Sequence, residues 1–252
     1  QMSGPRDQDN MAAGIGGDRT RLTLSPADEA LIHAVVAANP NTVVAMMGGS
    51  AIITEAWRHQ VPAILMLWYP GMEGGHAFAD LLFGRVNPSG KLPCTFPVAE
   101  TDLPFYDKDA TAITYDLWHG YRKLDRDGKR AAFPFGYGLS YTTFAYSNLR
   151  LAADRIDAAG VLEVTVDVTN TGSVPGDEVV QLYIATHGSQ VERAVKELKA
   201  FARLALAPGE TKTVTLTVPA SALAWYEAVS ASWVIEPLHC EAIVARHAAD
   251  PD

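Results

Sequence analysis

Residues 133–144, FPFGYGLSYTTF, constrain the fold of this chain more than any other stretch. Five of these twelve residues are aromatic and two are glycine, a mixture unlike that of an ordinary helix or loop. The run, called the junction below, also separates two patterns: helices alternate with strands before it, and short strands occur alone after it. We therefore predict two domains that meet at the junction.

The sequence before the junction predicts an α/β domain. Ser25 can cap a first helix, and Pro40 lies where that helix must end. Two buried strands and a second helix are then expected at residues 42–47, 63–68 and 73–83. Strands that are apolar on both faces and alternate with helices indicate a mostly parallel sheet flanked by helices.

Loops at the carboxyl ends of these strands are the expected place for a ligand, as in other parallel sheets. They lie at residues 48–50 and 69–75. Farther along, residues 114–124 predict a strand rich in aromatic side chains, and the basic group between Arg122 and Arg130 is interpreted as a solvated hairpin. Residues 1–19 show no hydrophobic period, which predicts a loop or extended arm.

The sequence after the junction predicts a second, all-β domain. Residues 162–168, LEVTVDV, alternate strictly between apolar and polar side chains, as a half-buried strand does. Further short strands are expected at residues 179–184, 198–206, 213–218, 232–235 and 241–244. Strands at this spacing predict a β-sandwich of about 100 residues. We accordingly divide the chain into domains at 1–146 and 147–252.

Composition excludes some classes of partner. The chain has 20 basic and 29 acidic residues, and its net charge of −9 argues against nucleic acid or an anionic membrane as the main partner. Cys94 and Cys240 lie on opposite sides of the junction, so a disulfide is not expected, and the compartment stays undetermined. None of the seven histidines has the spacing of a metal ligand, and we predict neither a metal nor a cofactor.

Five blocks of sequence occur in one order along the chain. They are AANPNTVV at 37–44, WYPGMEGG at 68–75, ADLLFG and VNPSGKLP at 79–84 and 86–93, the junction, and GDEVVQLY at 176–183 with KELK at 196–199 and PGE at 208–210. In this order and spacing they resemble the β-glucosidases and β-xylosidases of glycoside hydrolase family 3. The resemblance extends over about residues 16–245.

The resemblance implies an architecture. Enzymes of this family carry an amino-terminal barrel, then an α/β sandwich domain, and commonly a fibronectin type III-like domain. This sequence matches the later part of the α/β sandwich domain, from Gly17-Asp18-Arg19 onward, and the whole of the last domain. A sheet that begins part-way would expose unpaired edges and apolar faces. We therefore expect the chain to be a cleavage product or a subunit that pairs with a barrel polypeptide of the same enzyme.

The resemblance also implies retaining β-glycoside hydrolysis, which needs two carboxyl groups about 5–5.5 Å apart. It places the nucleophile, an aspartate, on the barrel, and therefore not on this chain. It places the acid/base, a glutamate, on a loop shortly before Gly17-Asp18-Arg19. Residues 1–16 contain no glutamate, so this residue either precedes Gln1 or is replaced by Asp7 or Asp9.

Tyr115, Trp118 and His119 are candidates for the substrate cleft, because aromatic rings pack against the apolar faces of sugars. Packing of this group against a neighbouring domain is the alternative. In the last domain, Trp225, Tyr226 and Trp233 are interpreted as core aromatics rather than as a carbohydrate platform. The predicted function is thus a carboxy-terminal portion of a β-glucosidase-like hydrolase that acts together with the barrel. The alternative is a non-catalytic sugar-binding or scaffold module.

Overall fold

The computed structural model describes residues 21–107 and 110–250. Two compact units divide these residues: the first runs to Phe83 and resumes at Cys94–Pro134, and the second combines Gly84–Pro93 with the chain from Phe135 onward. Residues 84–93 and 135–146 thus group with the β-rich unit, whereas the division at residue 146 placed them in the first domain.

The first unit opens with the predicted helix, strand, strand and helix. The bounds are α1 Pro26–Ala38, β1 Val43–Met46, β2 Ala63–Met66 and α2 Gly74–Leu82. The hydroxyl of Ser25 accepts a hydrogen bond from the backbone N–H of Asp28 (3.2 Å), which explains where α1 begins. β1 and β2 pair in parallel, from Val43 opposite Ala63 to Met46 opposite Met66. The α/β prediction is confirmed.

An aromatic cluster forms the centre of the first unit. Trp57 and Phe96 are almost completely buried. Phe96 meets Trp68 and Phe133 edge to face, with ring centroids 6.2 and 6.1 Å apart. The backbone N–H of Phe96 also donates to the carbonyl of Phe133 (2.8 Å). The first residue of the junction is therefore part of this core.

The prediction of a strand at residues 114–124 is wrong, and so is the prediction of a hairpin between Arg122 and Arg130. Residues 114–119 form no strand, and α3 spans Gly120–Asp127. Lys123 and Asp127 pair one turn apart (2.5 Å), Leu124 is buried, and Gly128 ends the helix in the left-handed conformation (φ 63°). Arg122, Lys123 and Arg126 thus lie on α3, and Lys129 and Arg130 follow its end.

The second unit is an antiparallel β-sandwich, as predicted. Its strands are β3 Phe144–Leu151, β4 Val161–Asn170, β5 Gly176–His187, β6 Glu197–Leu206, β7 Thr211–Pro219, β8 Trp225–Glu227, β9 Ser232–Val234 and β10 His239–Ala245. One sheet has the order β3-β4-β7, the other β10-β5-β6, and β8 pairs with β9. Alternate residues of β4 and β7, such as Val164, Val168 and Val218, fill the core. β3 and β8 were not predicted.

The interpretation of Tyr226 and Trp233 as core residues is wrong. Both lie on the β8–β9 hairpin, where they are 51% and 70% exposed and pack against each other at 5.4 Å. A two-stranded hairpin buries side chains only where a second layer covers it, and the face with these two rings is open. Trp225, on the same hairpin, is partly buried.

Within residues 21–107 and 110–250, no helix is long and apolar enough to span a membrane. No group of three or more His, Cys, Asp or Glu residues in that part of the chain is arranged to hold a metal ion.

Candidate functional site

The carboxyl edge of the parallel pair brings two loops together. Because β1 and β2 run in the same direction and in register, the loops after Met46 and Met66 leave the same edge. Gly49 in the first loop lies against Tyr69 in the second: a Cβ at Gly49 would stand 2.8 Å from the tyrosine ring. A side chain at residue 49 would therefore displace the exposed Tyr69 ring.

The loop after β2 has an unusual backbone. Trp68 takes a left-handed conformation (φ 52°), which is rare for a bulky residue, and Gly71 follows with φ 74°. A Cβ at Gly74 would lie 2.5 Å from the Pro70 ring, so α2 can begin this close to the turn only with glycine. Met72, between these positions, is 99% exposed. Strain of this kind concentrates at functional loops, which supports the prediction that this edge is a ligand site.

The three substrate-cleft candidates do not share one environment. Tyr115 is 52% exposed and His119 is exposed, but Trp118 is only 6% exposed. The guanidinium of Arg126 covers the Trp118 ring at 4.5 Å from its centroid, and the Trp118 backbone N–H donates to Asp116 (2.7 Å). Only Tyr115 and His119 thus present open surface to a sugar, while Trp118 packs inside the unit.

An ion pair connects the turn at residues 99–103 to Lys129, two residues after the end of α3. Lys129 donates to Asp102 (2.7 Å), and the other oxygen of this carboxylate accepts from the backbone N–H of Ala99 (3.0 Å). The Lys129 hydrogen bond is the main reason that the pKa of Asp102 is lowered. The carboxylate is ionised at neutral pH and has a structural role.

The two carboxylates considered as an acid/base, Asp7 and Asp9, lie outside the described residues. The sequence did not predict the left-handed Trp68 or the contact between Gly49 and Tyr69. The Pro-Gly and Gly-Gly pairs in residues 68–75 signal a turn, but they do not indicate which non-glycine residue adopts the strained conformation.

Comparison with known proteins identifies the family. The model of the glycosyl hydrolase family 3 C-terminal domain matches residues 6–141, more than half of the chain. The chain belongs to this family. A fibronectin type III-like domain matches residues 178–248, within the family 3 chain's second unit. The family and both fold classes inferred from the sequence are therefore confirmed.

The family 3 chain is similar to curated β-glucosidases over most of its length. It is 40% identical over 244 residues to the β-glucosidase BoGH3A of Bacteroides ovatus, covering 93% of this chain and 32% of the relative. It is also 40% identical over 239 residues to the probable β-glucosidase I of Aspergillus fumigatus, covering 91% of this chain and 28% of the relative. The chain thus spans about a third of the length of these relatives.

Solved structures of related proteins also match most of this chain but only about a third of their own length. The β-D-glucoside glucohydrolase of Trichoderma reesei superposes with a TM-score of 0.87 at 32% identity, over 94% of this chain and 36% of that one. The β-glucosidase of Kluyveromyces marxianus in complex with glucose gives 0.85 at 35% identity, over 93% of this chain and 28% of that one.

Proposed function

We propose that this chain is the carboxy-terminal portion of a retaining β-glycosidase that hydrolyses terminal β-linked sugars. Its nucleophile would lie on a barrel domain of the same enzyme, carried by a separate chain or a cleaved precursor. The proposal is supported by membership of family 3 and by similarity to proteins named β-glucosidases, of which this chain spans about a third.

The observation that carries the proposal is an incomplete layer in the first unit. No residue of α1 is buried, and Leu31 and Val35 on this helix are 62% and 42% exposed. β1 is also open on part of its surface, with Val43 41% exposed. A helix and a parallel sheet normally bury these apolar faces. A further layer from the barrel-bearing polypeptide would cover them.

The proposed reaction uses two carboxyl groups, and the nucleophile is on the barrel polypeptide. The barrel aspartate would attack the anomeric carbon, and the acid/base would protonate the leaving oxygen and then deprotonate water. The acid/base would be a glutamate of the partner polypeptide, or else Asp7 or Asp9 of this chain. Tyr115 and His119 would contact the aglycone from the exposed loop before α3.

Reconstitution tests the proposal. This chain would be coexpressed with the part of the Bacteroides ovatus relative that it does not match, and turnover of 4-nitrophenyl β-glucoside would be measured. We expect activity from the associated pair and none from either polypeptide alone, because this chain lacks the nucleophile and the barrel polypeptide alone lacks the rest of the α/β sandwich domain. The relative's own carboxy-terminal part serves as the positive control for assembly. Failure of this chain to associate where the control does would contradict the partner proposal.

Association without turnover on several aryl β-glycosides would instead favour the alternative, a non-catalytic sugar-binding or scaffold module. In an active pair, Asp7→Asn and Asp9→Asn identify the acid/base. Removing a general acid costs about 10²–10⁴-fold in rate. Retention of full activity by both variants assigns the group to the partner.

A further inference from the structure

A short segment that contains one of the family's sequence blocks groups with the second unit instead of the first. Gly84–Pro93, called the strap below, contains VNPSGKLP and belongs to the β-sandwich unit, although the residues on both sides of it belong to the first unit. α2 ends at Leu82, just before the strap, and the core residue Phe96 follows three residues after it. Both ends of the strap therefore continue directly into the first unit.

The backbone of the strap pairs with the junction. The N–H of Leu92 donates to the carbonyl of Tyr137, and the N–H of Gly136 donates to the carbonyl of Leu92, both at 2.8 Å. A Cβ at Gly138 would collide with the carbonyl oxygen of Gly90. The two chains thus approach as closely as backbones can, and only glycine permits this at residue 138.

One side chain of the strap joins three parts of the sandwich unit. Asn87 accepts from the Ser140 hydroxyl (2.9 Å) and the Tyr141 backbone N–H (2.8 Å), and it donates to the carbonyl of Pro175 (2.9 Å). Gly176, at the start of β5, has no room for a Cβ, which would lie 2.7 Å from the Asn87 amide nitrogen. The Asn87 side chain therefore supplies hydrogen-bond partners for the backbone N–H of Tyr141 and the carbonyl of Pro175.

A second side chain neutralises a buried charge on β5. Lys91 forms an ion pair with Glu178 (3.0 Å) and donates to the carbonyl of Gly138 (3.0 Å). The two charged side chains are only 13% and 5% exposed. Without the lysine, the Glu178 carboxylate would stay buried and lose its cationic partner, which is strongly destabilising.

We propose that the strap is an integral element of the sandwich and that it opens together with the junction and β5. One cooperative group consists of the strap, residues 135–142 of the junction and the first half of β5, because each of these segments binds backbone or charged groups of another. This inference does not depend on the proposed function.

Hydrogen exchange of the full chain, read by mass spectrometry in mild denaturant, tests the proposal. We expect residues 84–93, 135–142 and 176–182 to exchange through one opening event. Lys91→Met should accelerate all three peptides by a common factor of about a hundredfold. Gly138→Ala should act in the same direction.

Two matched controls distinguish coupling from general weakening. Gly90→Ala lies on the strap itself, but its Cβ would meet nothing within 4 Å, so exchange should stay within about twofold of the parent. Lys199→Met removes a comparably covered lysine, 17% exposed and paired with Glu197, from β6. Because Glu197 is 22% exposed and stays solvated, this variant should accelerate the three peptides by less than about threefold.

Should Lys91→Met fail to fold, Asn87→Asp is the milder variant. It keeps the acceptor for Ser140 and loses the donor to Pro175, and we expect about tenfold faster exchange in the same three peptides. Acceleration confined to the strap in Lys91→Met, or unequal acceleration of the three peptides, would overturn the proposal.

Discussion

Asn170, at the end of β4, illustrates what a single buried amide does in the sandwich. Its side chain is fully buried, and its oxygen accepts from the Thr142 hydroxyl (2.6 Å) and the Gly172 N–H (3.1 Å). Its nitrogen donates to the carbonyls of Val174 (2.9 Å) and Leu206 (3.0 Å). The sequence Asn-Thr-Gly at 170–172 is typical of a turn, but it does not indicate that the amide connects separate segments.

Replacement of Asn170 should therefore be costly. In Asn170→Ala the buried groups that face the amide lose their partners, and we expect a loss of about 2–3 kcal/mol in the free energy of unfolding. Asn170→Asp should cost at least as much, because a carboxylate cannot donate to the two carbonyls. Urea unfolding measures both. Thr143→Ala removes an exposed hydrogen bond to Thr171 (2.7 Å) and should cost under about 0.5 kcal/mol. Equal losses in all three variants would contradict this account.

Among the elements, regular periodicity was predictable and local pairing was not. α1, α2 and most sandwich strands follow from capping and alternation in the sequence. α3 was missed because its stability depends on charge pairs one turn apart, in a segment whose aromatic residues suggested a strand. The candidate site follows the same rule: glycine pairs located the loop at residues 68–75, whereas the strained Trp68 and the covered Trp118 depend on tertiary packing.

The loop between β5 and β6 is held by one carboxylate from the segment between β9 and β10. Glu236 accepts from the Gln190 backbone N–H (2.8 Å) and the Ser189 hydroxyl (2.6 Å), and it pairs with Arg193 (3.0 Å). Its side chain is only 4% exposed. These bonds lower the pKa of Glu236 below its ordinary value of 4.5, and the hydrogen bond from the Gln190 backbone is the largest cause.

The lowered pKa gives the loop a defined pH dependence. The fold favours the charged form, so this stabilisation is fully present above pH 4.5 and is lost as the pH falls through the lowered pKa of the folded protein. Glu236→Gln should be less stable than the parent at pH 7, and the difference should disappear in acid. Thermal unfolding across this range, with proteolysis of the loop, measures both. Glu192→Gln, exposed in the same loop, should match the parent throughout; a constant gap between parent and Glu236→Gln would contradict the assignment.

At the scale of the molecule, the two units differ in how completely they bury their apolar surface. The sandwich encloses a continuous core between two sheets, with Val164, Val168 and Val218 fully buried. The first unit leaves α1 without a buried residue. The sequence of α1 contains apolar residues such as Leu31 and Val35, but which of them stay exposed depends on what the rest of the chain can cover.

This asymmetry predicts where a barrel-bearing polypeptide binds. Leu31→Asp and Val35→Asp place charges on the open face of α1, where they should leave the thermal unfolding of this chain nearly unchanged because both positions are already exposed. In the reconstituted pair each should weaken association at least about tenfold, since a carboxylate would be desolvated at the interface. Analytical ultracentrifugation measures the affinity, and turnover should fall in parallel. Phe201→Asp provides the matched control, because this residue is 68% exposed on the sandwich. If Phe201→Asp weakens the pair and the α1 variants do not, the partner binds the second unit, and the open face of α1 has another cause.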